Sequence, residues 1–227
     1  DVYKRQTMVD RVVEAFILVA LESSIKKFDL GVLTEEKTDN GSRFEKEYFW
    51  CIDPLDGTLP FTEGESGYSV SIALVSKKGE SVLGVVFDPV ENVLYSSVKG
   101  LGATKNGEKL TKSTNKYSKF TLVTDRSFAT SGDKEAVLSK FKEKYNEVEE
   151  KYIGGAVLNA IWIIENQPAS YFKSIKKNKG GGSVWDFSAT ACIVKESGCN
   201  VSDSNGNHLG LNPKHTTFMN EVGVDFS

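Results

Sequence analysis

Two aspartates three residues apart, Asp53 and Asp56, stand where an apolar run stops. The segment reads Trp50-Cys51-Ile52-Asp53-Pro54-Leu55-Asp56-Gly57-Thr58-Leu59-Pro60-Phe61, and Tyr48 to Ile52 has the aromatic, apolar character of a buried strand. Pro54 fixes its own φ and pushes Asp53 toward extended geometry, which predicts a strand ending in a rigid hook. Two carboxylates held that close repel unless a proton or a cation lies between them. Oxygen-only ligands select a hard ion: Mg²⁺, Mn²⁺ or Ca²⁺. Gly57 lets a ligand approach the backbone, and Thr58 sets a hydroxyl beside it. The chemistry expected here is metal meeting phosphate.

Spacing removes two neighbouring possibilities. A calcium loop of the EF-hand type needs an acid or amide at Leu55 and a glutamate at Gly64, and has neither. A phosphatase with an aspartyl nucleophile uses Asp-x-Asp, two residues apart, against three here. The only two histidines, His208 and His215, lie in a Gly/Asn/Pro-rich tail region, so carboxylates and metal are expected to carry any acid–base work.

The chain of 227 residues is long enough to bury a sizeable core. Its hydrophobic content of 39% and charged content of 26% are ordinary for a globular protein. A net charge of −3 argues against a nucleic-acid-coating surface or membrane attraction. The longest apolar run, Ala15 to Leu21, falls far short of the roughly 20 residues that span a bilayer. No signal-peptide pattern is visible. Cys51, Cys192 and Cys199 lack CxxC spacing and sit among apolar residues, the pattern of reduced thiols in a cytoplasmic protein.

Several elements are needed to position the two aspartates. Val9, Val12, Val13, Phe16, Ile17, Ala20, Leu21 and Ile25 recur at helical spacing from Thr7 onward, with Asp10 and Glu14 one turn apart. Gly31 to Thr34 reads as a short strand that delivers Glu35 and Glu36. Tyr68 to Ser76, Val82 to Phe87 and Val93 to Val98 predict an antiparallel meander, and Asn106-Gly107 a hairpin turn. A second half begins near Phe120, with strands at 121–124, 148–153 and 169–172 and helices at 134–145, 156–165 and 187–197. Gly198 is placed to close the last helix. The expectation is an α/β (α+β) layered sandwich of two sheets. Residues 1–118 would form an N-terminal half and 119–227 a C-terminal half of one compact catalytic unit.

Asp53-Pro54-Leu55-Asp56-Gly57-Thr58 with Phe61 resembles the first signature of the inositol monophosphatase superfamily. Val184-Trp185-Asp186-Phe187-Ser188-Ala189-Thr190-Ala191 looks like its second. Leu33-Thr34-Glu35-Glu36 resembles the upstream Gly-Glu-Glu strand end, with Thr34 replacing glycine, and Thr7, Asp10 and Glu14 match its Thr-x-x-Asp-x-x-x-Glu helix start. The resemblance implies an αβαβα arrangement and a lithium-sensitive, Mg²⁺-dependent phosphomonoesterase. Glu35, Asp53 and the Leu55 carbonyl would bind one Mg²⁺; Asp53, Asp56 and Asp186 a second. A looser third ion would lie near Glu35 with Asp10 beyond it, and Mn²⁺ could substitute. Thr58, oriented by Asp10, would help activate water, and the Gly57 and Thr58 amides would receive phosphate oxygens. Asp186 also reads as a helix cap.

Substrate identity rests on two departures. The glutamate that inositol-specific members carry seven residues before the Trp-Asp aspartate is Lys179 here, in a loop with Lys173, Lys176 and Lys177, which suits a second phosphate. Thr124 to Phe128 partly resembles a segment of the 3'(2'),5'-bisphosphate nucleotidases, although Thr58-Leu59-Pro60-Phe61 departs from their usual form. The expected partner is a small phosphorylated molecule, inositol monophosphate or 3'-phosphoadenosine 5'-phosphate, without nucleic acid or membrane, and a homodimer is allowed. A catalytically inactive homologue that binds metal or nucleotide, and a phosphatase with an aspartyl-phosphate intermediate, are the alternatives. Nothing ahead of Thr7 matches the family's first helix, so a truncated or artificially extended start is expected, leaving an apolar helix face exposed.

Overall fold

The computed structural model describes residues 8–114, 119–180 and 182–227. Asp1 to Thr7 and the expected boundary at residue 118 lie outside them. Seven strands form the first sheet in chain order: β1 (Gly31–Thr34), β2 (Tyr48–Asp56), β3 (Ser69–Ser76), β4 (Ser81–Asp88), β5 (Val93–Val98), β6 (Gly102–Lys105) and β7 (Glu108–Leu110). β1 runs parallel to β2, and every later pair is antiparallel. The second sheet holds β8 (Phe120–Val123), β9 (Val148–Lys151), β10 (Ala169–Lys173), β11 (Val201–Ser202) and β12 (Val224–Phe226), in the order β11-β12-β10-β8-β9. The helices are α1 (Met8–Phe28), α2 (Ser42–Glu45), α3 (Thr58–Glu63), α4 (Lys134–Lys144), α5 (Ala156–Trp162) and α6 (Val184–Glu196).

The predicted meander is present and continues one hairpin further. Asn106 and Gly107 join β6 to β7 with φ of 50° and 82°, the left-handed pair that a two-residue hairpin turn requires. Along β3 burial alternates strictly, with Ser69, Ser71, Ala73 and Val75 facing inward. α6 lies on that inner face, against β3 and β4. It approaches so closely that a side chain on Gly84 would run into the Ala189 carbonyl. One core joins the inner faces of both sheets through α5 and α6, with Phe49, Ile161, Tyr171, Phe187, Ile193 and Phe226 buried in it. Phe120 and Leu122 face the other way and pack under α4 with Val137 and Leu138. α1 contacts β2, where Trp50 donates its Nε1–H to Ser24 Oγ at 3.1 Å. The layers therefore alternate helix, sheet, helix, sheet, helix, as expected. All three cysteines are buried free thiols.

α1 divides its apolar residues between two faces. Asp10 and Glu14 are buried, whereas Met8, Val9, Val12, Phe16 and Val19 are exposed. The apolar stripe read from the sequence is split: Val9, Val12, Phe16 and Ala20 meet solvent, whereas Val13, Ile17, Leu21 and Ile25 are half-buried on the side of Asp10 and Glu14. Arg43 ties α2 to the segment that carries Asn212 and Pro213, ahead of β12. Its buried guanidinium donates to Asp39 at 2.7 Å, to Asn212 Oδ1 at 2.6 Å and to the Pro213 carbonyl at 2.9 Å. No helix among the described residues is long and apolar enough to cross a membrane.

The Gly84 contact is testable because overpacking a close helix–sheet interface costs about 1–3 kcal/mol. Gly84→Ala should lower the melting temperature by about 2–10 °C in a thermal scan. An unchanged melting temperature would mean that α6 does not rest on β4 as described.

Candidate metal centre

Residues three apart on a regular strand point to opposite faces. β2 breaks that rule. Asp53 pairs with Ser71 and Asp56 with Ser69, so three steps along β2 match two along β3. This bulge returns Asp56 to the face that Asp53 uses. The Asp53 carboxylate braces it by accepting the Leu55 N–H at 2.9 Å. The expected end of the strand at Ile52 is thereby corrected: pairing resumes beyond the bulge, and β2 runs to Asp56.

Each further carboxylate is delivered by a different element. Asp56 accepts the Ala156 and Val157 N–H groups at 3.0 and 2.9 Å, the otherwise unpartnered amides of the first turn of α5. Gly155 makes this possible, since a side chain there would overlap the Asp56 carboxylate. Asp186 is the third residue of α6 and accepts the Ser183 N–H at 2.7 Å. Its expected place as the helix cap is corrected: Ser183 is the N-cap, and the two residues form a reciprocal capping box. Glu35 directly follows β1, its N–H bonded to the Ile52 carbonyl at 3.2 Å, and the β1–β2 register sets it beside Asp53. One oxygen from each of Asp53, Asp56 and Asp186 lies within 4.8 Å of the others.

Removal from water, then the neighbouring negative charges, raises the proton affinity of this group. Asp53 is held well above the carboxylate range, and Asp56 is pushed up to about 8. Glu35 is also pushed up to about 8, by desolvation and then by Asp186. The residue keeps an exposed flank, where the charges of Asp186, Glu36 and Asp56 crowd it. Burial raises Asp186 as well, opposed by the Lys173 charge and the Ser183 N–H. Such a set of buried oxygens fits a hard divalent cation, which would neutralise the crowding.

Residues 3–224 match the model of the inositol monophosphatase family. The chain belongs to that family. It is 31% identical over 204 residues to the Escherichia coli K12 protein named Nus factor SuhB, covering 89% of this chain and 73% of that one. It is 31% identical over 219 residues to the fructose-1,6-bisphosphatase/inositol-1-monophosphatase of Thermotoga maritima, covering 94% and 77%. The solved inositol monophosphatase of Anabaena superposes with a TM-score of 0.75 at 24% identity, covering 96% of this chain and 80% of the other, a likeness of fold.

Within this inositol monophosphatase family member, the structure gathers Glu35, Asp53, Asp56 and Asp186. Leu55 is buried, and its carbonyl accepts the Thr58 hydroxyl at 3.3 Å. Gly57 caps α3 with φ 84°, a conformation open to glycine. Asp10 is buried on α1 but is not one of the three converging aspartates, and Lys179 is exposed on the loop after β10. Sequence reasoning missed the clasp of Asp56 by α5, although Gly154-Gly155 ahead of an apolar helical run was a visible signal. It also placed Lys173 in a loop, whereas Lys173 closes β10, is half-buried and acts on Asp56 and Asp186 through its charge.

A pH dependence follows, with its sign. These carboxyls bind protons more tightly folded than unfolded, so their stabilising contribution is complete below about pH 4. It is lost as the pH rises toward about 8, where Glu35 and Asp56 ionise in the folded protein. Without divalent ions the melting temperature should therefore fall between about pH 5 and pH 8. Saturating Mg²⁺ should remove that fall and raise the melting temperature most at the alkaline end. A scanning-fluorimetry grid with EDTA or Mg²⁺ checks this, and identical curves would deny the cluster a cation.

Proposed function

We propose that this family member is a Mg²⁺-dependent phosphomonoesterase that hydrolyses a small phosphorylated metabolite, inositol monophosphate or 3'-phosphoadenosine 5'-phosphate, by attack of water. The observation that carries this reading is the convergence of the Asp53, Asp56 and Asp186 carboxylates, drawn from both halves of the chain, with Glu35 beside Asp53. In this reading residues 1–118 and 119–227 make one catalytic unit.

Glu35, Asp53 and the Leu55 carbonyl would hold one ion, and Asp53, Asp56 and Asp186 a second; a looser third would lie near Glu35, with Asp10 beyond it. When bound, Mg²⁺ supplies water acidic enough to attack near neutrality and charge to neutralise the phosphoryl group. The residues of the chain do the rest. Thr58 Oγ1, which donates to the Leu55 carbonyl, would orient the attacking water and relay its proton. The Gly57 and Thr58 amides, at the start of α3, would orient phosphate oxygens. The α5 amides keep Asp56 aimed at the centre throughout.

Phosphate release from inositol 1-phosphate, 3'-phosphoadenosine 5'-phosphate and fructose 1,6-bisphosphate, with and without Mg²⁺, tests the reading. Turnover of at least one, dependent on Mg²⁺ and inhibited by Li⁺, is expected; none on all three would sink it. Asp56→Asn should lower kcat by at least about 100-fold, because several kcal/mol of charge stabilisation depend on that ligand. The same change weakens the clasp on α5 and should cost about 1–2 kcal/mol of stability. Activity near that of the unsubstituted chain would take Asp56 out of the centre.

A further inference from the structure

Two serines near the start of β3 lie on the face that the aspartates use. Cross-strand partners point to the same side of a sheet, and the pairing sets Ser71 opposite Asp53 and Ser69 opposite Asp56. Both serines are wholly buried. The Ser71 hydroxyl donates to the Trp185 carbonyl at 3.3 Å, one residue ahead of Asp186. The Ser69 hydroxyl is sealed from water and meets no hydrogen-bond partner among the described residues. Thr34 and Ser97 carry orphaned hydroxyls too, but they pair across the sheet with Ile52 and Gly84. Of the three, Ser69 alone faces a converging aspartate.

The chain on either side fixes Ser69 beside the Asp56 clasp. Two residues earlier, the Gly67 carbonyl accepts the Gly155 N–H at 2.7 Å, which pins the approach to β3 against the start of α5. The next two amides of that turn, from Ala156 and Val157, each hold one oxygen of Asp56. A carboxylate offers about four acceptor positions on its two oxygens. The amides fill two of them, which leaves room for a cation and for one hydroxyl. Opposite residues of an antiparallel pair have Cβ atoms about 4.5–5.5 Å apart, a span that a hydroxyl and a carboxylate close by turning toward each other. An orphaned buried hydroxyl is unfavourable, and a charged acceptor offsets that cost best.

We infer that Ser69 is a positioning residue of the metal centre: with a divalent cation bound, its hydroxyl donates to the Asp56 carboxylate and holds it against the ion. The inference rests on the reading of the cluster as a cation site and deepens it. Ser69 touches no ion itself; it acts through Asp56, from the strand opposite the α5 amides.

Scanning fluorimetry of Ser69→Ala and the unsubstituted chain at about pH 8, in EDTA and across a MgCl₂ titration, tests this. In EDTA the variant should melt at or slightly above the temperature of the unsubstituted chain, because it removes a hydroxyl that has no bond to lose. In the titration, the Mg²⁺ concentration that gives half of the full shift should rise by about tenfold, the size of one hydrogen bond to a charged acceptor. A serine with a merely structural part would lower the melting temperature equally in EDTA and in Mg²⁺. That result overturns the proposal, as does an unmoved midpoint. If Mg²⁺ shifts neither chain, the cation reading itself fails and takes the role of Ser69 with it. A shift that Ser69→Ala keeps in full, at the same midpoint, sinks the role of Ser69 alone.

Discussion

Three carboxylates converge, the buried Asp53 and Asp56 and the half-buried Asp186, with Glu35 at their exposed flank, and the rest of the architecture answers their repulsion. In a medium of low polarity, like charges a few ångströms apart cannot all be ionised without a counter-charge. The chain spends backbone geometry to hold them together anyway. A bulge in β2 turns Asp56 to the face of Asp53, the first turn of α5 clasps Asp56, and a capping box at α6 aims Asp186. Each device uses backbone amides that a helix end or an irregular strand would otherwise leave unpartnered.

The two sheets share this work unequally. The first carries Glu35, Asp53 and Asp56 on neighbouring strand ends, β1 and β2, whose parallel pairing sets Glu35 beside Asp53. The second half answers with α5, α6 and the Lys173–Asp125 pair. Because α5 and α6 lie between the sheets, packing that holds the halves together also sets the distance between carboxylates. Gly84 is one place where this coupling shows, since the absence of a side chain there lets α6, with Asp186 at its start, rest on β4.

α1 shows that amphipathic spacing does not by itself state which face of a helix is buried. Its acidic positions, Asp10 and Glu14, turn inward, and Glu14 accepts the Glu36 N–H at 3.1 Å just past the end of β1. A buried carboxylate with a backbone partner is sustainable. Met8, Phe16 and Val19 stay exposed.

By itself the sequence determined the kind of chemistry and most of the elements. Aspartates beside proline and glycine, alternating strands and an Asn-Gly hairpin are local features, decided within a few residues. The family signatures likewise named Glu35, Asp53, Asp56 and Asp186 without coordinates. Only the tertiary structure decided that β2 continues through the bulge, that the amides of Ala156 and Val157 reach back 100 and 101 positions to Asp56, and that the charge acting on Asp56 and Asp186 is that of Lys173 rather than Lys179. Those outcomes depend on which distant segments share a dry interior, where unmet hydrogen bonds and unpaired charges cost the most. No spacing along the chain encodes that cost.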